Sequence, residues 1–184
     1  MMTAVGKLAE MYRERCLTPT DIHEHLPTLV DLVVEHDCQH VIELGVCSGQ
    51  STTAFLYALE QTGGSLVSVD LDPAPAIGEW PHWQFIQGDD LDPRVFAQCD
   101  LADLIFIDTS HGYRQTLQEL YLYAHLVRRP GLMVLHDTEL EHPIGESLKP
   151  AFPVKRAVEE FCASEGYEFT NNPACYGLAL IRVV

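Results

Sequence analysis

Five short runs rich in apolar residues punctuate the chain, and each ends on a glycine or an aspartate. Residues 41–44 close at Gly45, residues 65–69 at Asp70, and residues 82–86 at Gln87-Gly88-Asp89-Asp90. Residues 103–107 close at Asp108, and residues 132–135 at His136-Asp137. Runs of this length bounded by turn residues predict strands, and the apolar fourth run predicts one covered by helices on both faces. Between the runs apolar positions recur every three to four residues, the spacing of a helix with one face in a core. Residues 4–16 form a weakly amphipathic helix. Asp21 is placed to cap a second helix, with Leu26, Leu29, Val30, Val33 and Val34 on one face and Pro27 where its regular part begins. Residues 51–59, 93–98, 113–127 and 154–164 supply the others; in 113–127 the core positions are Leu117, Leu120, Tyr121, Ala124 and Val127, with Pro130-Gly131 as the stop. Two last strands, 168–170 and 177–183, flank a turn at Asn171-Asn172-Pro173 with no helix between them.

Strands alternating with helices imply a doubly wound, Rossmann-like α/β fold with a mostly parallel seven-stranded sheet. The last two strands pair as an antiparallel C-terminal hairpin. The length of 184 residues suits a single domain, 1–184, with 1–38 as an N-terminal helical cap.

Charge narrows the function. Eleven Lys and Arg stand against 27 Asp and Glu, a formal net charge of −16. A chain this acidic repels nucleic-acid backbone and anionic membrane, and its longest basic run is Arg128-Arg129. A small-molecule partner is the expectation. The six cysteines include no C-x-x-C pair, no apolar segment approaches a membrane span, and no secretory leader is evident, so a reducing cytoplasm is expected.

The stretch Glu43-Leu44-Gly45-Val46-Cys47-Ser48-Gly49-Gln50-Ser51 runs from the first strand into a helix. Such a turn offers backbone N–H groups to a ligand, and Ser48 or Ser51 is placed to cap the helix. Its G-x-x-x-G spacing is not the G-x-G-x-x-G of dinucleotide enzymes, which disfavours a nicotinamide dehydrogenase. Ligands of open α/β sheets bind beyond the carboxyl ends of the strands. Gly45, Asp70, Asp89, Asp108 and Asp137 occupy those ends, one per strand. Any one of them is an ordinary turn residue; five in order are hard to explain as turns alone.

With Val69-Asp70-Leu71-Asp72 and Gln87-Gly88-Asp89-Asp90 after the next two strands and the terminal hairpin, the pattern resembles the class I S-adenosylmethionine-dependent methyltransferases. The E-L-G-V-x-x-G-x-S loop, Asp108-Thr109-Ser110-His111-Gly112-Tyr113 and the stretch from Arg129 to Thr138 resemble the small-molecule branch of macrocin O-methyltransferase and the cephalosporin hydroxylase-like proteins. The resemblance implies S-adenosylmethionine as cofactor and a small hydroxylated substrate. It implies that Gly45, Val46, Gly49 and Ser51 hold the methionine part, oriented by Glu43. Asp70, with Leu71 beside it, would accept from both ribose hydroxyls; Asp89, with Asp90 beside it, would accept from the adenine amino group. Asp108 borders both cofactor and chemistry. Asp108 and Asp137 are implied ligands of Mg²⁺ or another divalent metal, with His136 a third ligand that suits Fe, Mn, Co or Zn better than Mg. His111, with an unperturbed pKa near 6.5, is the implied base that takes the hydroxyl proton.

His136 leaves alternatives open. It can be a second base without a metal, or part of a ferrous site of the two-His-one-carboxylate kind in a hydroxylase on the same fold. A non-catalytic subunit that binds S-adenosylmethionine, and a homo-oligomer, are also compatible with the sequence. His23, His25, His36 and His40 read as surface groups, and Trp80 and Trp83 as cover for the sheet. The long 138–153 stretch, with His142, reads as a substrate lid whose Lys149 and Lys155, with Arg156, are solvated by default.

Overall fold

The computed structural model describes residues 4–141 and 151–184. The chain runs α1 (Ala4–Leu17), a 3-10 turn (His23–His25), α2 (Leu26–Glu35), β1 (His40–Leu44), α3 (Gln50–Thr62), β2 (Ser65–Asp70), β3 (Trp83–Gln87) and α4 (Pro93–Phe96). It continues with β4 (Ala102–Ile107), α5 (Tyr113–Tyr123), β5 (Val127–His136), α6 (Pro153–Glu165), β6 (Phe169–Asn172) and β7 (Leu178–Val183). The strands form one sheet in the order β3-β2-β1-β4-β5-β7-β6. β1 to β5 are parallel, and β7 runs antiparallel between β5 and β6. The expected seven-stranded, doubly wound sheet with a reversed C-terminal hairpin is therefore present.

Side chains alternate across the pleat, so each strand feeds two cores. Leu104 and Phe106 of β4 join Leu29, Val33, Phe55 and Leu59 under α2 and α3. Ile105 and Ile107 join Leu120, Tyr123, Val158 and Phe161 under α5 and α6. Strand order reverses between β1 and β4, which opens a crevice beyond their carboxyl ends. No helix among the described residues is long and apolar enough to cross a membrane.

Several sequence expectations shift. Asp21 does not cap α2: the 3-10 turn intervenes, and His25 precedes the helix without a side-chain cap. Nor does a serine cap α3; Gly49, in a left-handed conformation, occupies the position. The fifth helix stops at Tyr123, because Val127 is already pairing with Ala102 as the start of β5. Its buried face is Thr116, Glu119, Leu120 and Tyr123, and Tyr121 is exposed. β6 continues through Asn172, into the expected turn.

Candidate active site

A cleft of about 320 Å³ opens at the β1–β4 switch. The turn after β1 contributes Gly45, Val46 and Cys47, the end of β2 Asp70, Leu71 and Asp72, and the end of β3 Gly88 and Asp90. Asp108, Thr109 and Ser110 follow β4, and Gln115 reaches in from α5. Gly45 has φ +85°, and a Cβ there would overlap the Asp108 carbonyl oxygen. Glycine is therefore what lets the two strand ends lie side by side.

Buried polar contacts fix the loop. Glu43 on β1 is fully buried beneath it and accepts from Ser51 Oγ at 2.6 Å, Thr52 Oγ1 at 2.9 Å and Ser68 Oγ at 2.6 Å. Trp83 Nε1 donates in turn to Ser68 Oγ at 3.0 Å. Burial pushes the Glu43 carboxyl up to about 7, and the three hydroxyls pull against that shift. Asp70 Oδ2 accepts from the backbone N–H groups of Val46 and Cys47 at 2.7 and 3.0 Å, and Oδ1 from that of Asp72 at 2.9 Å. The Arg15 guanidinium of α1 donates two 3.2 Å bonds to the Ser48 carbonyl.

The expected cofactor residues thus divide. Gly45, Val46, Asp70, Leu71, Asp90 and Asp108 line the cleft. Glu43 and Ser51 lie below it, bonded to each other, and Gly49 faces Pro75 and Ile77. After β3 it is Asp90 that faces the cleft; Asp89 is exposed and closes a local turn by accepting from Leu91 N–H.

Asp108 is also the edge of a second constellation. His111 Nε2 lies 3.3 Å from Asp108 Oδ1 and 2.8 Å from Asp137 Oδ2. His136 Nδ1 lies 3.5 Å from Asp108 Oδ2 and 3.4 Å from Asp137 Oδ2. His136 is buried, while His111 has 36% of its side chain exposed and faces solvent. His111 and Asp137 both take left-handed backbone, φ +55° and +61°, a conformation held by its surroundings and concentrated at functional sites.

Hydrogen bonds that His111 donates to Asp108 and then to Asp137 raise its pKa to about 10. Burial opposes protonation of His136, but the same two carboxylates raise it to about 11. Burial alone would raise both aspartates; the imidazoles hold them below the usual carboxylate range. His111 is thus held above the expected 6.5: the second carboxylate, 26 positions away in sequence, favours its charged form in this arrangement.

Sequence reading missed what stands behind His136. Its Nε2 lies 3.0 Å from the Cys175 carbonyl, which only accepts, so Nε2 carries the proton. His25, expected at the surface, is fully buried: its Nε2 bonds the Ala174 carbonyl at 2.7 Å and its ring packs edge-on against His136. The signal was the spacing His25, Leu29, Val33, one face continuous with α2. Glu119, fully buried on α5, was missed as well; a carboxylate on the core-facing stripe was its signal. Trp80 and half-buried Trp83 pack into the core, as expected of cover. Lys155 is held by Glu139 at 2.6 Å, and Arg156 is exposed. His142 and Lys149, and most of the expected lid, lie outside the described residues.

A neutral His136 with its proton on Nε2 would aim the Nδ1 lone pair at two carboxylates. Nδ1 is buried and has no hydrogen-bond partner among the described residues. A second proton or a cation removes that conflict. Asp108, His111 and Asp137 bring ligand atoms within 4.8 Å of one another, and His136 completes a nitrogen-and-oxygen donor set that fits a divalent metal.

Residues 42–138, a little over half of the chain, match the model of a protein family described as a methyltransferase domain. Among solved structures, one from Staphylococcus aureus, provisionally named a caffeoyl-CoA O-methyltransferase, aligns with TM-score 0.73 and 16% identity over 99% of this chain and 93% of that one. An O-methyltransferase from Bacillus cereus in complex with SAH aligns at 0.67 and 15% over 98% and 90%. MycE, a methyltransferase of the mycinamycin biosynthetic pathway in complex with Mg, SAH and mycinamycin VI, aligns at 0.69 and 17% over 98% of this chain and 54% of that one. At such identities the likeness is one of fold. No curated protein matches the sequence.

Proposed function

The chain belongs to the methyltransferase domain family, and from that premise we propose that it moves a methyl group from S-adenosylmethionine to a hydroxyl oxygen of a small metabolite. The carrying observation is the junction at Asp108, where a cleft walled by backbone amides and carboxylates meets a pair of imidazoles and a second aspartate. The three structures aligned above include two holding SAH, one of them also with Mg and mycinamycin VI, which supports the reading.

In this reading the turn at Gly45, Val46 and Cys47 holds the methionine part. Asp70 faces the ribose; with three donors already on its two oxygens, its roughly four lone-pair sites leave room for about one further bond. Asp90 faces the adenine amino group. The bound cofactor supplies an electrophilic methyl on a sulfonium. A divalent cation held by Asp108, Asp137 and His136, with His111 left free of it, would supply a Lewis acid that favours an ionised hydroxyl. The Cys175 carbonyl keeps the His136 proton on Nε2 and so keeps Nδ1 turned toward the aspartates. His111 holds a proton at Nε2 between Asp108 and Asp137. When other positive charge balances those carboxylates, that nitrogen is free to accept the substrate proton. Catalysis is otherwise largely positioning of oxygen against the methyl group.

Calorimetric titration with S-adenosylhomocysteine tests the cofactor assignment; no binding at millimolar ligand would overturn it. Incubation with methyl-labelled cofactor and pooled hydroxylated metabolites, with the label located by mass spectrometry, tests the acceptor atom, and label on nitrogen or carbon would redirect the proposal. The two imidazoles also suit ferrous iron. Oxygen consumption after anaerobic loading with Fe²⁺, with no methyl transfer, would favour a hydroxylase.

A further inference from the structure

Two carboxyl groups meet at the β3 side of the cleft. Asp90 follows β3 and Glu119 lies on α5, whose Tyr123 is bonded to the Asp90 backbone, so that the two carboxyl groups are neighbours and the charge of each acts on the other. Glu119 is fully buried and Asp90 is 7% exposed. Glu119 Oε1 is engaged, accepting from Thr109 Oγ1 at 2.7 Å and Gln115 Nε2 at 2.9 Å. Glu119 Oε2 and Asp90 Oδ2 are buried without a donor among the described residues. Two ionised carboxylates cannot bond to one another, because each only accepts. One proton between them makes a donor and an acceptor and removes a buried charge.

We propose that Glu119 is a positioning residue for cofactor binding: it carries a proton shared with Asp90, and that proton fixes Asp90 in the cleft wall as an acceptor for an amino-bearing heterocycle. The proposal rests on reading the cleft as the cofactor site. Burial, followed by the Asp90 charge, pushes Glu119 up to about 8. Asp89 adjoins the pair in sequence, Tyr123 bears on it from α5, and Cys99, in the segment after α4, bears on Tyr123. None of these supplies positive charge, and the Tyr123 hydroxyl is spent on the Asp90 backbone carbonyl at 2.9 Å. Once the shared proton leaves, two like charges face each other and the Asp90 side chain loses its anchor.

Glu119→Gln isolates the proton. Its amide oxygen can keep the Thr109 and Gln115 bonds, and its amide nitrogen donates to Asp90 without titrating. Calorimetric titration with S-adenosylhomocysteine is run on both proteins from about pH 6 to about pH 10. Near neutral pH the variant is expected within about threefold of wild type. At alkaline pH, wild-type affinity divided by variant affinity should fall about tenfold per pH unit. The ratio also cancels titration of the ligand's own amine. A ratio that stays constant overturns the proposal. If neither protein binds at any pH, the cofactor reading has failed, and urea unfolding without ligand decides the shared proton. Wild type should lose stability relative to Glu119→Gln as pH rises from about 5 to about 8; superimposable profiles overturn it.

Discussion

His111 Nε2 lies 2.8 Å from one carboxylate and 3.3 Å from another, so its proton is held far more tightly than in a free imidazole. If this ring handles the substrate proton, His111→Ala should leave S-adenosylhomocysteine affinity nearly unchanged and cut turnover by about 10²-fold; unchanged turnover would remove it from the mechanism. Glu43 makes a different kind of prediction. Its folded pKa is raised from 4.5 to about 7, mainly by burial, so the unfolded chain gives up the proton first. The stability this group contributes is full below about pH 4.5 and is lost as pH rises through about 7. Glu43→Gln should flatten that limb in urea midpoints measured across it, and an equally steep slope in the variant would refute the account. The acids at the strand ends were legible because each follows an apolar run. Their partners were not, since the three hydroxyls on Glu43 and the amides on Asp70 converge only after the loop folds back.

At the scale of elements, α1 is tied to the cofactor side through one side chain. Arg15 reaches 33 positions along the chain to the Ser48 carbonyl, while Tyr12 stacks on Tyr57 of α3 at 4.5 Å between ring centroids. A charge-assisted bond of this kind contributes about 1.5 kcal/mol, so Arg15→Ala should weaken S-adenosylhomocysteine binding by up to about tenfold while the stack keeps α1 docked. Calorimetry that finds no change would make Arg15 a bystander. The elements themselves were readable wherever the period was unambiguous. β4 shows this well, because Leu104, Ile105, Phe106 and Ile107 are all buried and leave no polar face to misread. α5 shows the limit: Val127 extends the helical spacing in sequence, yet pairing with Ala102 draws it into a strand. Tertiary hydrogen bonding overrides local period there.

For the molecule as a whole, charge and topology act together. The net charge is −16, and Asp70, Asp72, Asp90 and Asp108 all line the cleft. A field of that sign favours a sulfonium cation over its neutral thioether product. S-adenosylmethionine binding should therefore weaken more than S-adenosylhomocysteine binding, by a few-fold, between about 20 mM and about 500 mM NaCl. An affinity ratio independent of salt would show that the field contributes nothing to the preference. The parallel sheet, its reversed hairpin and the edge at which ligands bind followed from alternation of strands and helices, whereas the strand order, and with it the switch between β1 and β4, is set by tertiary pairing. The depth of the His136 pocket did not, because its walls come from His25 and the turn after β6, at opposite ends of the sequence.

That distance orders the assembly of the site. Ala174 and His25 are 149 positions apart, and β7 reaches the sheet by lying between β5 and β6. Everything that lines the cleft is encoded from Gly45 to Gln115, and β1 to β4 pair among themselves in parallel. On an emerging chain that half can consolidate early. The clamp on His136 closes only when the final hairpin docks, so in pulse-labelled hydrogen exchange the amides of β1 and β4 should gain protection before those of β7. A nascent chain would then acquire a place for its small-molecule donor before it acquires the means to use it.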